Sequence, residues 1–524
     1  MTFYQNPFSL YKIVVYIILS GKIWSVIYPV LLVPGDGGSH LEAKLNKSYS
    51  PRYLCEKYTE SWYNIWLNLE LLMPYAIDCW VDNVKLGYDN DTRLTSNTPG
   101  VNIRVPNFGN TTSIEWLDPT KRSVSKYFAT ITQKLVSLGL IRGKTIRGAP
   151  YDFRKTPIEN VEMMHNMKTL IEEMYNSNGK LPVVIICHSM GCSYTKYFLQ
   201  TQSLIWKKTF LKAWVTLSAP WAGTVKALKI YASGDNLDAY PLNALKIRDC
   251  QRTFPSLSWL LPHVGYWQPN QTLISTPLKN YSLDNIETFF FDLGLPNAYE
   301  MWFDNKNLMD LMDYNGSHHH NSDKSIGVML HCLHGISVPT PELLKWNKPQ
   351  DFPDKQPLIL QGDGDGSVNL RSLSACLNFY GSRHEHKNLI IHKTFPGVEH
   401  VHILYNNDIL QYIQYVVTDG YSGSNLSEKM AANFNLSKDQ EHISSLYFPL
   451  CQACDTNLNH RDFKSQITII NIYKDNLRIY STPIYIKRAF IYICLLVLIV
   501  LIFIIINKGN NHFLNQYYNS YVIV

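Results

Sequence analysis

The sequence predicts an α/β fold with a parallel sheet covered on both faces, and two observations carry that prediction. First, short apolar runs rich in β-branched residues alternate with stretches of helical spacing from residue 29 to residue 220. That alternation is the pattern of parallel strands joined by covering helices. Second, the run Leu181 to Ile186 stops at Cys187-His188-Ser189-Met190-Gly191, after which Ser193 to Gln200 reads as a helix. A buried strand, a sharp turn with a central serine and then a helix is the geometry that lifts a serine hydroxyl above a sheet. There the next backbone N–H faces the place where negative charge develops. The Gly-x-Ser-x-Gly form of that turn is half met, because Cys187 stands where the first glycine would be.

The other elements follow in chain order. Tyr28 to Val33 is a strand that runs directly into Pro34-Gly35-Asp36-Gly37-Gly38. Glycines after a strand let backbone N–H groups turn toward a ligand, or simply make a tight turn. Ser123 to Leu138 has helical apolar spacing behind a serine able to cap it. Thr145 to Tyr151 reads as a strand end, followed by Asp152 and Arg154, which either brace their loop or face a ligand. Glu159 to Asn178 is helical and leads into the elbow strand. Lys229 to Cys250 breaks the pattern with Gly, Asp, Asn and Pro and reads as an irregular excursion. Pro357 to Gln361 is a strand ending in Gly362-Asp363-Gly364-Asp365-Gly366, and Leu389 to Thr394 a strand ending in Pro396-Gly397-Val398-Glu399-His400. In such a fold an acid and a base follow the serine in the order Ser, Asp or Glu, His, at the C-terminal ends of strands. Asp363 or Asp365 and His400 or His402 are the candidates.

Composition bounds the function. A chain of 524 residues with 46% apolar content can bury a large core. A formal charge of +6 is mild, and no basic block suits nucleic acid. Aromatic content of 13%, with 34 tyrosines, suits either that core or contact with lipid or sugar. Lys12, the apolar run Ile13 to Leu19 and the small residues Ser20, Gly21 and Ser25 read as a signal peptide over 1–27, too short to span a bilayer. Sequons at Asn46, Asn90, Asn110, Asn270, Asn280, Asn315, Asn425 and Asn435 agree with the secretory pathway. His318-His319-His320 lies in a polar insertion from Asn315 to Ser325, and a bare tract of this kind is not a metal-ligand geometry. Beyond residue 420 an extension over 421–488 contains the pair Cys451 and Cys454, spaced for a local disulfide. Ala489 to Ile506 is uncharged and flanked by Lys487-Arg488 and Lys508, which makes it a candidate transmembrane helix before a tail at 507–524. Those flanking charges favour a cytosolic N-side, against the signal peptide, a bias that a large translocated domain overrides.

Several motifs together resemble the lecithin–cholesterol acyltransferase family. Pro34-Gly35-Asp36-Gly37-Gly38-Ser39-His40-Leu41-Glu42-Ala43-Lys44-Leu45 looks like its opening signature. Asp36 matches the lysosomal phospholipase A2 branch, where the plasma acyltransferase carries cysteine. Further matches are Ile65-Trp66-Leu67-Asn68-Leu69, Arg147-Gly148-Ala149-Pro150-Tyr151-Asp152-Phe153-Arg154, Ser218-Ala219-Pro220-Trp221, Ala232-Ser233-Gly234-Asp235-Asn236 and Gly362 to Val368. The likeness runs from about Pro29 to Thr418. Departures are Cys187 for alanine, Cys192 for asparagine, Gly37 for leucine and Phe153 for tryptophan, none of which removes a catalytic group.

The resemblance implies an α/β-hydrolase over 28–420, with a membrane-binding insert around 50–82 and a lid around 229–250. It makes Ser189 the nucleophile, His400 the base and Asp365 the acid, with the N–H groups of Asp36 and Met190 as oxyanion donors. It pairs Cys55 with Cys79 and Cys332 with Cys376, the first closing a loop whose large apolar residues from Trp62 to Pro74 read equally as a core helix or as a lipid-facing surface. It places Trp66 near the acyl chains and offers Asp152 and Arg154 as phosphocholine contacts, beside their reading as a loop brace. The implied reaction cleaves an acyl ester of a glycerophospholipid through an acyl-enzyme and passes the chain to water or a lipid alcohol. It would run at a phospholipid membrane surface, in a lysosome or outside the cell, without metal or cofactor. A neutral-lipid or carboxylester lipase would share the triad, and a catalytically silent lipid-binding protein is the remaining reading.

Overall fold

A computed structural model describes residues 26–122, 125–236, 242–312, 326–379 and 390–420, with side chains to residue 306 in the third span. The signal peptide, the extension with Cys451 and Cys454, the histidine tract and the span 489–506 fall essentially outside these residues. Among the described residues no helix is long and apolar enough to cross a membrane.

Six strands rich in Val, Ile and Leu form one sheet: β1 (Val30–Val33), β2 (Ile146–Gly148), β3 (Val183–His188), β4 (Leu211–Leu217), β5 (Leu330–Ile336) and β6 (Ile390–Pro396). Their order is β6-β5-β4-β3-β1-β2, and every pairing is parallel. Parallel neighbours need crossovers, and those supply the covering layers. Successive side chains of a strand point to opposite faces, so each strand feeds two cores. Leu31, Val33, Val183, Ile185 and Trp214 pack with Met163, Met167, Leu170 and Met174 of a helix over Val161–Ser177. Val30, Leu32, Val184, Ile186, Val215 and Leu217 pack on the other face. Their partners there are Ile131 and Leu135 of α1 (Ala129–Ser137) and Ile409, Ile413 and Val416 of a C-terminal helix, Asn407–Val417.

Four elements differ from the sequence reading. The helix expected from Ser123 starts at Ala129, with no side-chain cap at Phe128. Residues 125–128 are pinned back instead, since Leu117 N–H donates to Ser125 O, Tyr127 N–H to Glu115 O and Phe128 N–H to Ile114 O. The excursion over 229–250 is largely helical: Lys229 lies in Val225–Ser233, which Gly234 ends at φ 72°, and Ala244–Gln251 begins where the Asn243 side chain accepts from Leu245 N–H. The strand ending near Asp365, Leu358–Gly364, is not in the parallel sheet. It pairs antiparallel with Val338–Lys345 in a separate four-stranded sheet. Between Cys55 and Cys79 there is no core helix over 62–74; Tyr63–Trp66 is a strand against Leu41–Leu45, and a helix begins at Ile77. The expected disulfides Cys55–Cys79 and Cys332–Cys376 are both formed.

Candidate active site

Ser189 stands between β3 and α2 (Met190–Thr201) with φ 52° and ψ −133°. A left-handed φ is uncommon outside glycine and persists only where the surroundings enforce it. The Ser189 N–H donates to Leu217 O at the end of β4, 2.9 Å away. Close approach does the rest. A Cβ at Gly191 would lie 2.1 Å from Pro34 O, and one at Gly35 would lie 2.7 Å from the Ser189 Cβ. Only glycines at both places let the 34–38 loop sit directly on the serine turn.

His400 Nε2 lies 2.9 Å from Ser189 Oγ, and His400 Nδ1 lies 2.8 Å from Asp365 Oδ2. The Asp365 main chain takes part as well, its carbonyl accepting the His400 N–H at 2.8 Å. Burial pushes the fully buried Asp365 carboxyl up, but the His400 ring and the N–H groups of Val368 and Ser367 outweigh it and hold it below the ordinary carboxylate value. Asp363 is exposed and accepts from Ser337 N–H, while His402 is exposed and pairs with Glu399. Of the two candidate acids and two candidate bases, Asp365 and His400 are the ones that meet Ser189.

Met190 is the first residue of α2 and Asp36 sits in the loop against Ser189. Among the described residues neither N–H is used in a hydrogen bond, and a helix N-terminus favours negative charge beside it. The Asp36 carboxyl accepts from the Gly37 N–H. The surrounding protein pushes that carboxyl up to about 6 by desolvation, with Asp235 adding to the rise and Lys226 opposing it. Its side chain is nonetheless open to solvent at the mouth of the loop. The desolvation therefore acts in full only when a bound ligand displaces that water.

Trp66 buttresses the loop from below. Its indole N–H donates to Gly37 O at 2.7 Å, and its ring packs on Trp80 and Phe153 with centroids 5.9 and 5.7 Å apart. Arg154 is a correction to the head-group reading. Its guanidinium is fully buried and committed to Asp152, Val84 O and Asn97 Oδ1, while Asp152 returns both carboxylate oxygens to it. A lipid phosphate could reach this pair only by breaking those bonds, so Asp152 and Arg154 brace the loop.

The sequence reading missed two features. Cys187 and Cys192 are bonded to each other, so a disulfide ties the end of β3 to the first turn of α2 around Ser189. A signal for it was present: two departures from the family pattern are both cysteine and bracket the serine. His188 and Tyr127, both buried, join the Gly35 loop to the His400 loop by hydrogen bonds. No spacing rule could have found that contact between distant parts of the chain.

The sequence has relatives among known proteins. A family model described as lecithin:cholesterol acyltransferase matches residues 62–407. The chain is 45% identical to "Lysosomal phospholipase A and acyltransferase" of Homo sapiens over 389 residues, 74% of this chain and 90% of that protein. It is 44% identical to the Mus musculus protein of the same name, over 75% of this chain and 90% of that one. "Phosphatidylcholine-sterol acyltransferase" of Homo sapiens is 35% identical over 75% of this chain and 85% of its own length. The chain belongs to the lecithin:cholesterol acyltransferase family.

Proposed function

We propose that the chain is a phospholipase A and acyltransferase of the α/β-hydrolase type, with Ser189 as nucleophile. The observation that carries the reading is the His400 ring bridging Ser189 Oγ and the buried Asp365 carboxylate, on a left-handed serine turn. Nε2 of His400 accepts the Ser189 proton as Oγ attacks an acyl ester of a glycerophospholipid. The Met190 and Asp36 N–H groups receive the charge that forms on the carbonyl oxygen. His400 then returns the proton to the departing lysophospholipid, and Asp365 stabilises the imidazolium in between. The acyl-enzyme is resolved by water, or by a lipid alcohol in an acyl transfer. Trp66, holding Gly37 from below, shapes the acyl side of the loop.

The residues around 50–82 support a membrane-binding role. Tyr49, Tyr53, Leu54, Tyr58, Met73 and Tyr75 are exposed there, Tyr53 at 94% and Leu54 at 63%, in a segment clipped by Cys55–Cys79. A concentration of exposed apolar side chains suits a lipid surface. The segment around 229–250 is the lid in this reading. A lysosomal site, or release from the cell, goes with this reading, and the name of the human lysosomal relative supports the first. The three disulfides among the described residues agree with an oxidising compartment.

The test is incubation with phosphatidylcholine liposomes containing ceramide, at acid and neutral pH, with mass spectrometry of the products and fluorophosphonate labelling in parallel. The wild type is expected to release lysophospholipid and fatty acid and to acylate ceramide. Ser189→Ala is expected to lose labelling and several powers of ten in turnover with its fold intact. Labelling that persists on Ser189→Ala would overturn the nucleophile. Cleavage of soluble esters with no action on liposomes would favour a carboxylester lipase.

A further inference from the structure

Beneath the loop of Gly35 and Asp36 lie two titratable groups that acyl transfer does not use. Tyr127 is 5% exposed and His188 is 2% exposed. The Gly35 N–H donates to the Tyr127 phenol oxygen at 2.9 Å. That oxygen lies 2.5 Å from His188 Nδ1, and His188 Nε2 lies 3.0 Å from the main-chain oxygen of His400.

The chemistry of the ends sets the direction of every bond. A carbonyl oxygen only accepts, so His188 Nε2 carries the hydrogen. In a neutral imidazole the other nitrogen is then an acceptor, and it takes the Tyr127 O–H. The phenol oxygen keeps a lone pair for the Gly35 N–H. One tautomer satisfies all three bonds, and it links the oxyanion loop, the residue before the nucleophile and the backbone of the base. Tyr127 is itself held in place, because its N–H donates to Glu115 O and its ring packs edge-on against Phe128. A Cβ at Gly38 would lie 2.9 Å from that ring, so the loop rests directly on it.

We propose that Tyr127 and His188 are positioning residues for acyl transfer, and that the Tyr127 hydroxyl, by occupying His188 Nδ1, adds to burial in keeping His188 uncharged beside His400. The proposal rests on the reading of Ser189 and His400 given above. His400 must become an imidazolium in the transition state, and the His188 ring centroid is 4.9 Å from its own. A second positive charge at that distance would oppose the imidazolium by on the order of a hundredfold in rate. Four groups decide whether His188 charges. Asp365 favours its proton, His400 opposes it, Tyr127 occupies its free nitrogen and Asp36 lies above Tyr127. Burial, with His400 adding to it, outweighs the carboxylate and pushes the His188 imidazole down to about 3. His188 therefore stays neutral in an acid compartment where an exposed histidine would be charged.

Tyr127→Phe removes the hydroxyl alone. It leaves the Gly35 N–H unpaired and frees His188 Nδ1 to bind a proton. The experiment reads the rate of fluorophosphonate labelling and the kcat and KM for a soluble ester across pH, in the wild type, Tyr127→Phe and Tyr127→Phe/His188→Asn. Tyr127→Phe is expected to lose about ten- to a hundredfold in kcat with KM unchanged. Its acid limb should move up, because nothing now opposes a proton on His188 Nδ1 except burial and His400. The double variant has no imidazole to charge, so its acid limb should return to the wild-type position while kcat stays low. An acid limb that does not move in Tyr127→Phe, or that stays displaced in the double variant, overturns the electrostatic role. An unchanged kcat in Tyr127→Phe overturns the positioning role. Wild-type labelling that Ser189→Ala abolishes carries the parent reading separately, so a null result in the variants counts against Tyr127 and His188 alone.

Discussion

Asp36→Asn separates charge from shape in the oxyanion loop. The substitution keeps the size of the side chain and the backbone N–H and removes only the carboxylate. With the carboxyl at about 6, roughly 3% is ionised near pH 4.5 and roughly 97% near pH 7.5. At about 5 Å from the developing oxyanion and an effective dielectric of about 20, the ionised form opposes the transition state by at most about 3 kcal/mol. That limit is about a hundredfold in rate, and water reaching the open Asp36 side chain trims it toward tenfold. The sign is set by the direction of the shift. The charge is present above about 6 and absent below it, so the penalty grows as pH rises and relaxes as pH falls. The opposing limit is His400, which must be neutral to accept the serine proton. A maximum on the acid side of neutrality follows for the wild type. Measured as kcat on a soluble ester and on liposomes, the ratio of neutral to acid activity should rise about ten- to a hundredfold in Asp36→Asn. An unchanged pH profile in a folded variant would refute the reasoning and leave Asp36 as a hydrogen-bond acceptor for its own loop.

Two further outcomes concern the surface and the elbow. Tyr53→Ser/Leu54→Ser should weaken sedimentation with liposomes and leave soluble-ester hydrolysis intact; equal loss on both substrates would assign those side chains to folding rather than to lipid. Cys187→Ala/Cys192→Asn, which restores the residues usual in the family, should keep the activity and lower stability by about 2 kcal/mol, the chain-entropy value for so short a loop. A denaturation midpoint equal to that of the wild type would show that the bond adds nothing to stability.

How much of this fold was readable in the chain follows from the range of the interactions. Val183 to Ile186 announced a strand buried on both faces, because β-branched residues without polar alternation fit little else. The split of Val183 and Ile185 from Val184 and Ile186 into two cores is the same period of two seen in three dimensions. The helix from Ser123 failed for a tertiary reason. Its first residues had helical spacing, but the carbonyls of Ile114 and Glu115 claimed the N–H groups of Phe128 and Tyr127. Leu358–Gly364 was visible as a strand and invisible as to its sheet, since partner choice depends on Val338–Lys345 and not on its own residues.

The site divides in the same way, and the division follows from chemistry. A nucleophile, a base and an acid each demand one kind of atom, so Ser189, His400 and Asp365 stood out by residue type, order and position after strands. Their supports carry no such demand. Any donor could hold the Gly37 carbonyl, and here it is the Trp66 indole. Any acceptor could take the Gly35 N–H, and here it is a phenol supplied from residue 127. Arg154 shows the converse error. A cation near a loop of this family suggests a phosphate contact, yet burial without water obliges a guanidinium to spend its donors on protein, and Asp152, Val84 and Asn97 take them. Tyr127 and His188 show why such supports still matter to the chemistry. With His400 as the proposed base, a neutral imidazole sits 4.9 Å from a ring that charges in every turnover, and a hydroxyl that adds to its neutrality then belongs to the mechanism although it touches no substrate.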